Sequence, residues 1–286
     1  MPWNNKVLDN LEQLYWSPGK ISLIKVDVVP TEDGTGYVIP KERLARGRSL
    51  FTRATTFDEW RSVIEKKEEI LNQVLEIALA IAPSTLLSEA FFAPLGITPN
   101  GRITTIGREA LARHSALSPR QFTQHDGFYL APNAIVMMEM KLKAQTSIEQ
   151  YIKYCTLIAL EEHLYGKKDH IGLIFLVPRD SVEQTRRILR LDDPTVLQKV
   201  WENPAAFSDK MPLLRLLKHH GDEITDVGRR LRITISTWDE FRATLLKQQT
   251  AARIAGNETL DNLLEGMIHQ ITTNPDCGLR RDWEEG

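Results

Sequence analysis

The sequence predicts an α/β fold, and three observations predict it. Residues 125–142 alternate in character around a Pro132-Asn133 turn, which is the mark of a β-hairpin. Apolar residues across 57–82 recur at helical spacing. His170–Val177 is an unbroken β-type run of the kind a buried strand shows. In chain order these features and their neighbours give helix, three strands, helix, strand.

The elements follow from local chemistry. Lys20–Val29 is β-branched, Thr31–Gly36 is turn-rich, and Tyr37–Ile39 returns as a short strand. Phe57–Ala82 carries Trp60, Val63, Ile64, Ile70, Leu71, Val74, Leu75 and Ala78 on one helical face, and Pro83 ends it. Ser84 or Thr85 caps a second helix that carries Glu89 and closes at Pro94 and Gly96. Arg102–Ile106 is a short strand, Gly107–Ser115 a short helix or turn, Gln121–Lys141 the hairpin, and Ser147–Tyr165 the next helix. After the 170–177 strand, segments 180–190, 194–202 and 212–220 read as helical, Arg232–Ser236 as a strand, and Thr237-Trp238-Asp239-Glu240 as a helix start. An apolar stripe at Ile254, Leu260, Leu263, Leu264, Met267, Ile268 and Ile271 marks a C-terminal tail that packs on the body or on a partner. The division expected is an extension with a hairpin at 1–56, a core at 57–178, a helical insertion with an additional strand at 179–245, and a helical tail at 246–286.

The hairpin carries chemistry. In a register symmetric about Pro132-Asn133 the paired residue numbers sum to 265, so Asp126 falls opposite Glu139 on one face, with Cβ atoms about 4.5–5.5 Å apart. Lys141 lies two residues beyond Glu139, projects from that face, and pairs with Gln124. Val136, Met138, Met140 and Leu142 line the other face. An apolar face interrupted by a carboxylate and an amine is costly if dry and unpaired, so the interruption is an ion pair or a site. Two carboxylates forced together repel unless a cation sits between them. Oxygen ligands suit magnesium or manganese, which polarise phosphate and lower the pKa of bound water. A neighbouring ammonium steadies the charge that develops on the phosphate.

With Asp126 on one strand and Glu139-x-Lys141 on the next, the chain resembles the PD-(D/E)XK nuclease superfamily over roughly residues 83 to 178. Gln150 and Tyr154 on the following helix are similar to the Gln-x-x-x-Tyr signature of its RecB-type branch. His125 stands where the family usually has proline. The resemblance implies a restriction endonuclease-like core, αβββαβ, with a central mixed sheet flanked by helices and with N- and C-terminal additions. It implies a Mg²⁺- or Mn²⁺-dependent deoxyribonuclease, with Asp126, Glu139 and Lys141 catalytic. Asp126, Glu139 and the Met140 carbonyl would hold the metal, Glu89 on the first core helix would complete its shell, and Gln150 and Tyr154 would organise the site or contact DNA. RNA stays open as a substrate.

Other readings of the same residues stand beside this one. Glu139 and Lys141 also fit a solvated same-strand ion pair, Gln150 a capping box begun at Ser147, Tyr154 a core aromatic, and Glu89 an amphipathic-helix carboxylate. The whole would then be a nuclease-like DNA-binding or assembly subunit without turnover, or a protein-interaction module that forms a homo-oligomer or engages a partner through the tail. The 286 residues carry a formal net charge of −2, so DNA affinity must come from local clusters. The candidates are Lys41, Arg43, Arg46, Arg48 and Arg53; Arg179, Arg186, Arg187 and Arg190; and the stretch Lys218–Arg232. Two cysteines, no apolar leader and no bilayer-length apolar stretch point to a cytoplasmic protein with no membrane role. No glycine-rich phosphate loop, nucleophile elbow or paired-cysteine motif occurs. His219-His220 splay apart, and His163 and His170 have no third histidine or cysteine at ligand spacing.

Overall fold

Residues 134–140 form β5, Ala134–Met140, at the middle of a five-stranded sheet. The structure, a computed structural model, describes residues 29–30, 37–38, 68–106, 125–142, 146–190, 199–203, 206 and 211–279. Sheet order is β3 (Thr104–Thr105), β4 (Gly127–Ala131), β5, β6 (His170–Val177), β7 (Arg232–Thr237). β3, β4 and β5 are mutually antiparallel neighbours, whereas β5, β6 and β7 run parallel. The fold is therefore α/β with an open mixed sheet. A separate pair, β1 (Val29–Pro30) with β2 (Tyr37–Val38), realises the N-terminal hairpin where it is described.

Helices cover both faces, which is why β5 and β6 are apolar at nearly every position. Val136, Met138 and Met140 point into one core layer with α1 (Glu68–Ala80), α2 (Ser84–Leu87), α6 (Trp238–Ile254) and α7 (Glu258–Thr273). Ile135, Met137 and Phe175 point into the other, with α3 (Ile148–Tyr165), α4 (Val182–Leu189) and α5 (Met211–Arg230). The period-two alternation of a strand alone distributes β5 between the layers.

Two details differ from the sequence expectation. Neither Ser84 nor Thr85 caps α2: Pro83 is the N-cap residue, and the Ser84 hydroxyl instead accepts the Ile103 N–H at 3.0 Å. α2 continues as a π turn at Ser88–Phe92 and a 3-10 turn at Ala93–Leu95, which Gly96 closes with a positive φ of 63°. The elements on either side of 178/179 and of 245/246 pack together. β7 pairs with β6, α6 runs through residue 245, and Leu245, Leu264, Met267 and Ile271 share one core with β5. Pro178 ends a strand and starts a turn, which is all its fixed φ requires. Helix 57–82 is described from Glu68, and 57–67, the Gly107–Ser115 segment and the basic cluster at 41–53 lie outside the described residues. No helix among the described residues is long and apolar enough to cross a membrane.

Candidate functional site

The hairpin register positions the site. Gly127 pairs with Met138 and Ala131 with Ala134, the pairing symmetric about Pro132-Asn133. Asn133 fixes the turn: its side chain accepts from the Asn100 N–H at 2.9 Å and donates to the Thr98 carbonyl at 3.1 Å. One step beyond the paired strands, Asp126 stands beside the end of β5. It is a bend residue rather than a strand residue, and its carboxylate accepts the Met140 N–H at 2.8 Å. Gln124, expected opposite Lys141, lies outside the described residues.

Glu139 is the centre of the arrangement and is only 1 % exposed. Lys141 Nζ lies 2.5 Å from its Oε1, the Gln150 side-chain amide donates to the same oxygen, and the Tyr154 hydroxyl donates to Oε2. Tyr154 O–H also approaches the Met138 carbonyl at 3.3 Å, and a backbone hydrogen bond from Asp126 reaches the same hydroxyl. Burial first, then the charges of Glu139 and Asp126, hold the Tyr154 phenol well above its usual range, so it remains a proton donor. Trp238, fully buried, donates its indole N–H to the Lys141 carbonyl at 3.1 Å and anchors the end of the strand.

α3 separates the two readings of Gln150. The Ser147 hydroxyl caps the helix by accepting the Gln150 backbone N–H at 3.1 Å, while the Gln150 side chain turns to Glu139 instead of back to the cap. Backbone and side chain thus serve different partners. Four residues later Tyr154 shares the helix face, which delivers both donors to one carboxylate.

Glu89 is engaged by α6. It sits in the π turn, with Lys247 Nζ 3.3 Å from its carboxylate and a hydrogen bond from Gln248 that leads the lowering of its pKa. The helix that does reach Asp126 is α1. Asn72 Nδ2 donates to Asp126 Oδ1 at 2.8 Å, and Asn72 Oδ1 is buried without a hydrogen-bond partner among the described residues. Glu76, one turn on, joins Asp126, His125, Thr105 and Ala80 in lining a cleft of about 390 Å³. Tyr129, also on the cleft, has its phenol pushed up by burial and then by the charges of Asp126 and Glu76. The sequence pattern of this helix singles out its apolar face and not Asn72 or Glu76. Their i,i+4 spacing was the available signal, but nothing local indicates which helix lies against Asp126.

His125 has a structural place. Its Nε2 lies 2.9 Å from the Ile106 carbonyl, and its ring meets Phe128 edge-on at 5.5 Å. Comparison with protein-family models, with curated proteins and with solved structures finds no match to this chain.

Proposed function

We propose that the protein is a metal-dependent nuclease with a restriction endonuclease-like core, hydrolysing DNA phosphodiester bonds. The observation that carries this reading is the end of β5: a nearly inaccessible Glu139 held among Lys141, Gln150 and Tyr154, with Asp126 fastened to the intervening Met140. A desolvated carboxylate costs several kcal/mol unless compensated, and here four residues are committed to it or to its neighbour.

The donor set fits a hard divalent cation. Asp126 and Glu139 supply carboxylate oxygens, and Asn72 Oδ1 is a buried oxygen with no donor among the described residues. In an extended strand the N–H and C=O of one residue point to the same side, so Met140, whose N–H meets Asp126, turns its carbonyl that way as well. Asp126, Glu139 and the Met140 carbonyl would hold Mg²⁺ or Mn²⁺, with Asn72 and Glu76 from α1 in place of Glu89. The ion would supply Lewis acidity and a bound water of lowered pKa. Lys141 holds its ammonium at the Glu139 carboxylate, where it would orient the attacking water and steady negative charge on the phosphate. Gln150 and Tyr154 fix the orientation of Glu139.

The test is to incubate plasmid and linear single-stranded DNA with Mg²⁺ or Mn²⁺ and the protein, beside Lys141→Ala and Asp126→Asn. Metal-dependent products should fall on the order of a hundredfold or more in each variant, the loss typical of removing one charge-stabilising group. Cleavage unchanged in both variants removes this reading. A second reading is a nuclease-like DNA-binding or assembly subunit without turnover. It is favoured by both Glu139 oxygens already being matched by protein donors. It gives salt-sensitive retention of DNA with no metal-dependent products.

A further inference from the structure

A second cluster of ligating side chains lies at the far end of α3. From Tyr154 to His163 is nine residues, about 13 Å along a helix axis, so this cluster is distinct from the Glu139 site. His163 in the last turn of α3 meets His220 and Glu223 of α5. His163 Nδ1 lies 2.8 Å from Glu223 Oε1, and His220 Nδ1 lies 2.8 Å from Glu223 Oε2. The two rings stand edge-on with centroids 5.1 Å apart, and one ligand atom from each residue falls within 4.8 Å of the other two. α5 leaves helical backbone within its length at His220, with φ −126° and ψ 21°.

The charges along this seam single the cluster out. One turn further, Asp226 is matched by Lys167 and Arg230, and Glu162 by Arg230. Glu223 has only imidazoles as partners among the described residues, with neither lysine nor arginine beside it. Each of its two carboxylate oxygens is taken by one imidazole nitrogen. Two imidazole nitrogens and a carboxylate oxygen thus converge where the described residues supply no permanent cation.

We propose that His163, His220 and Glu223 bind a divalent transition-metal ion, zinc above all, which clamps α5 across the end of α3. Two nitrogens and one carboxylate oxygen are a three-ligand zinc set whose fourth position stays open to water. Ligands about 2.0–2.1 Å from zinc in tetrahedral geometry sit about 3.3 Å from one another, so the 2.8 Å contacts would open slightly, ligand atoms now up to 4.8 Å apart would draw together, and each imidazole nitrogen now donating to Glu223 would release its proton to solvent as the ion binds. Imidazole favours zinc, cobalt, nickel and copper over magnesium, so this site and the all-oxygen Asp126 site select different ions.

The experiment treats the full chain with a chelator, then titrates Co²⁺ while visible absorption is recorded, and follows thermal unfolding with Zn²⁺ or Mg²⁺. The expected result is one Co²⁺ per chain with tetrahedral ligand-field bands, displaced by Zn²⁺ but not by Mg²⁺, and a melting temperature raised by Zn²⁺. Affinity should fall at least about tenfold in His163→Ala, His220→Ala and Glu223→Gln. His219→Ala and His269→Ala, exposed histidines outside the cluster, and Asp126→Asn should retain it. His163→Gln, read by the same bands, replaces His163→Ala if the alanine variant unfolds without metal. Absence of the bands, or equal binding in the cluster variants and the parent chain, overturns the site. Neither result bears on DNA cleavage at Glu139.

Discussion

At the scale of the residue, the balance around Glu139 is set by burial. Lys141 is 12 % exposed and Glu139 only 1 %, so removing the ammonium strands a charge that water cannot reach. Breaking one partner of a buried pair typically costs about 3–5 kcal/mol, whereas replacing both with neutral groups is often harmless. Lys141→Ala should therefore lower stability in urea denaturation toward the smaller of those figures, because Gln150 and Tyr154 still hold the carboxylate. The Glu139→Gln/Lys141→Met pair should regain most of the loss. If the double variant is no more stable than Lys141→Ala, the pair is not the unit described. Tyr154→Phe keeps the ring in its fully buried place and deletes only the O–H, removing one donor to Glu139 Oε2. That deletion should cost about 1–3 kcal/mol, and an unchanged unfolding midpoint would deny the hydroxyl its role.

At the scale of the element, packing overrules propensity at Gly228 of α5. A methyl group there would stand 2.1 Å from two ring carbons of Trp201, and an indole cannot bend out of the way. Alanine gains about 1 kcal/mol of helix propensity over glycine, but overpacking a core costs about 1–3 kcal/mol, so Gly228→Ala should be net destabilising in chemical denaturation. The same substitution at Gly221, where nothing lies within 4 Å, should stabilise instead. Local signals were legible where the chemistry is local. The Pro132-Asn133 turn set the hairpin register, Ser147 and the Thr237/Glu240 capping box marked two helix starts, and the 170–177 run matched its strand residue for residue. What a sequence hides is the long-range choice. Nothing near Asn72 and Glu76 shows that α1 lies against Asp126, and nothing near Glu89 shows that its π turn faces Lys247. The imidazoles of His163 and His220 likewise meet only because α5 folds back along α3, fifty-seven positions later in the chain.

At the scale of the whole molecule, both core layers contain groups that folding keeps protonated, and this sets the alkaline limit of stability. Cys155 is buried in the α3 layer and Cys277 in the α7 layer, and burial pushes both thiols upward. Tyr129, Tyr151 and Tyr154 are pushed upward as well, again by burial first. A group whose folded pKa exceeds its unfolded value contributes stability that is complete below the unfolded pKa and is lost as pH rises toward the folded one, because the unfolded chain releases its proton first. Unfolded thiols titrate near about 8.5 and phenols near about 10. Stability in reducing buffer should therefore hold between pH 7 and 8, begin to fall near pH 8.5, and steepen near pH 10. Each group adds a slope that approaches about 1.4 kcal/mol per pH unit. Urea titrations at half-unit steps measure this directly. In Cys155→Ala/Cys277→Ala the first decline should vanish while the steeper one near pH 10 remains, since the phenols are untouched. A parent chain whose stability is flat from pH 8 to 10 would mean that these side chains meet water in the native state, and that the two apolar layers enclosing β5 are not closed.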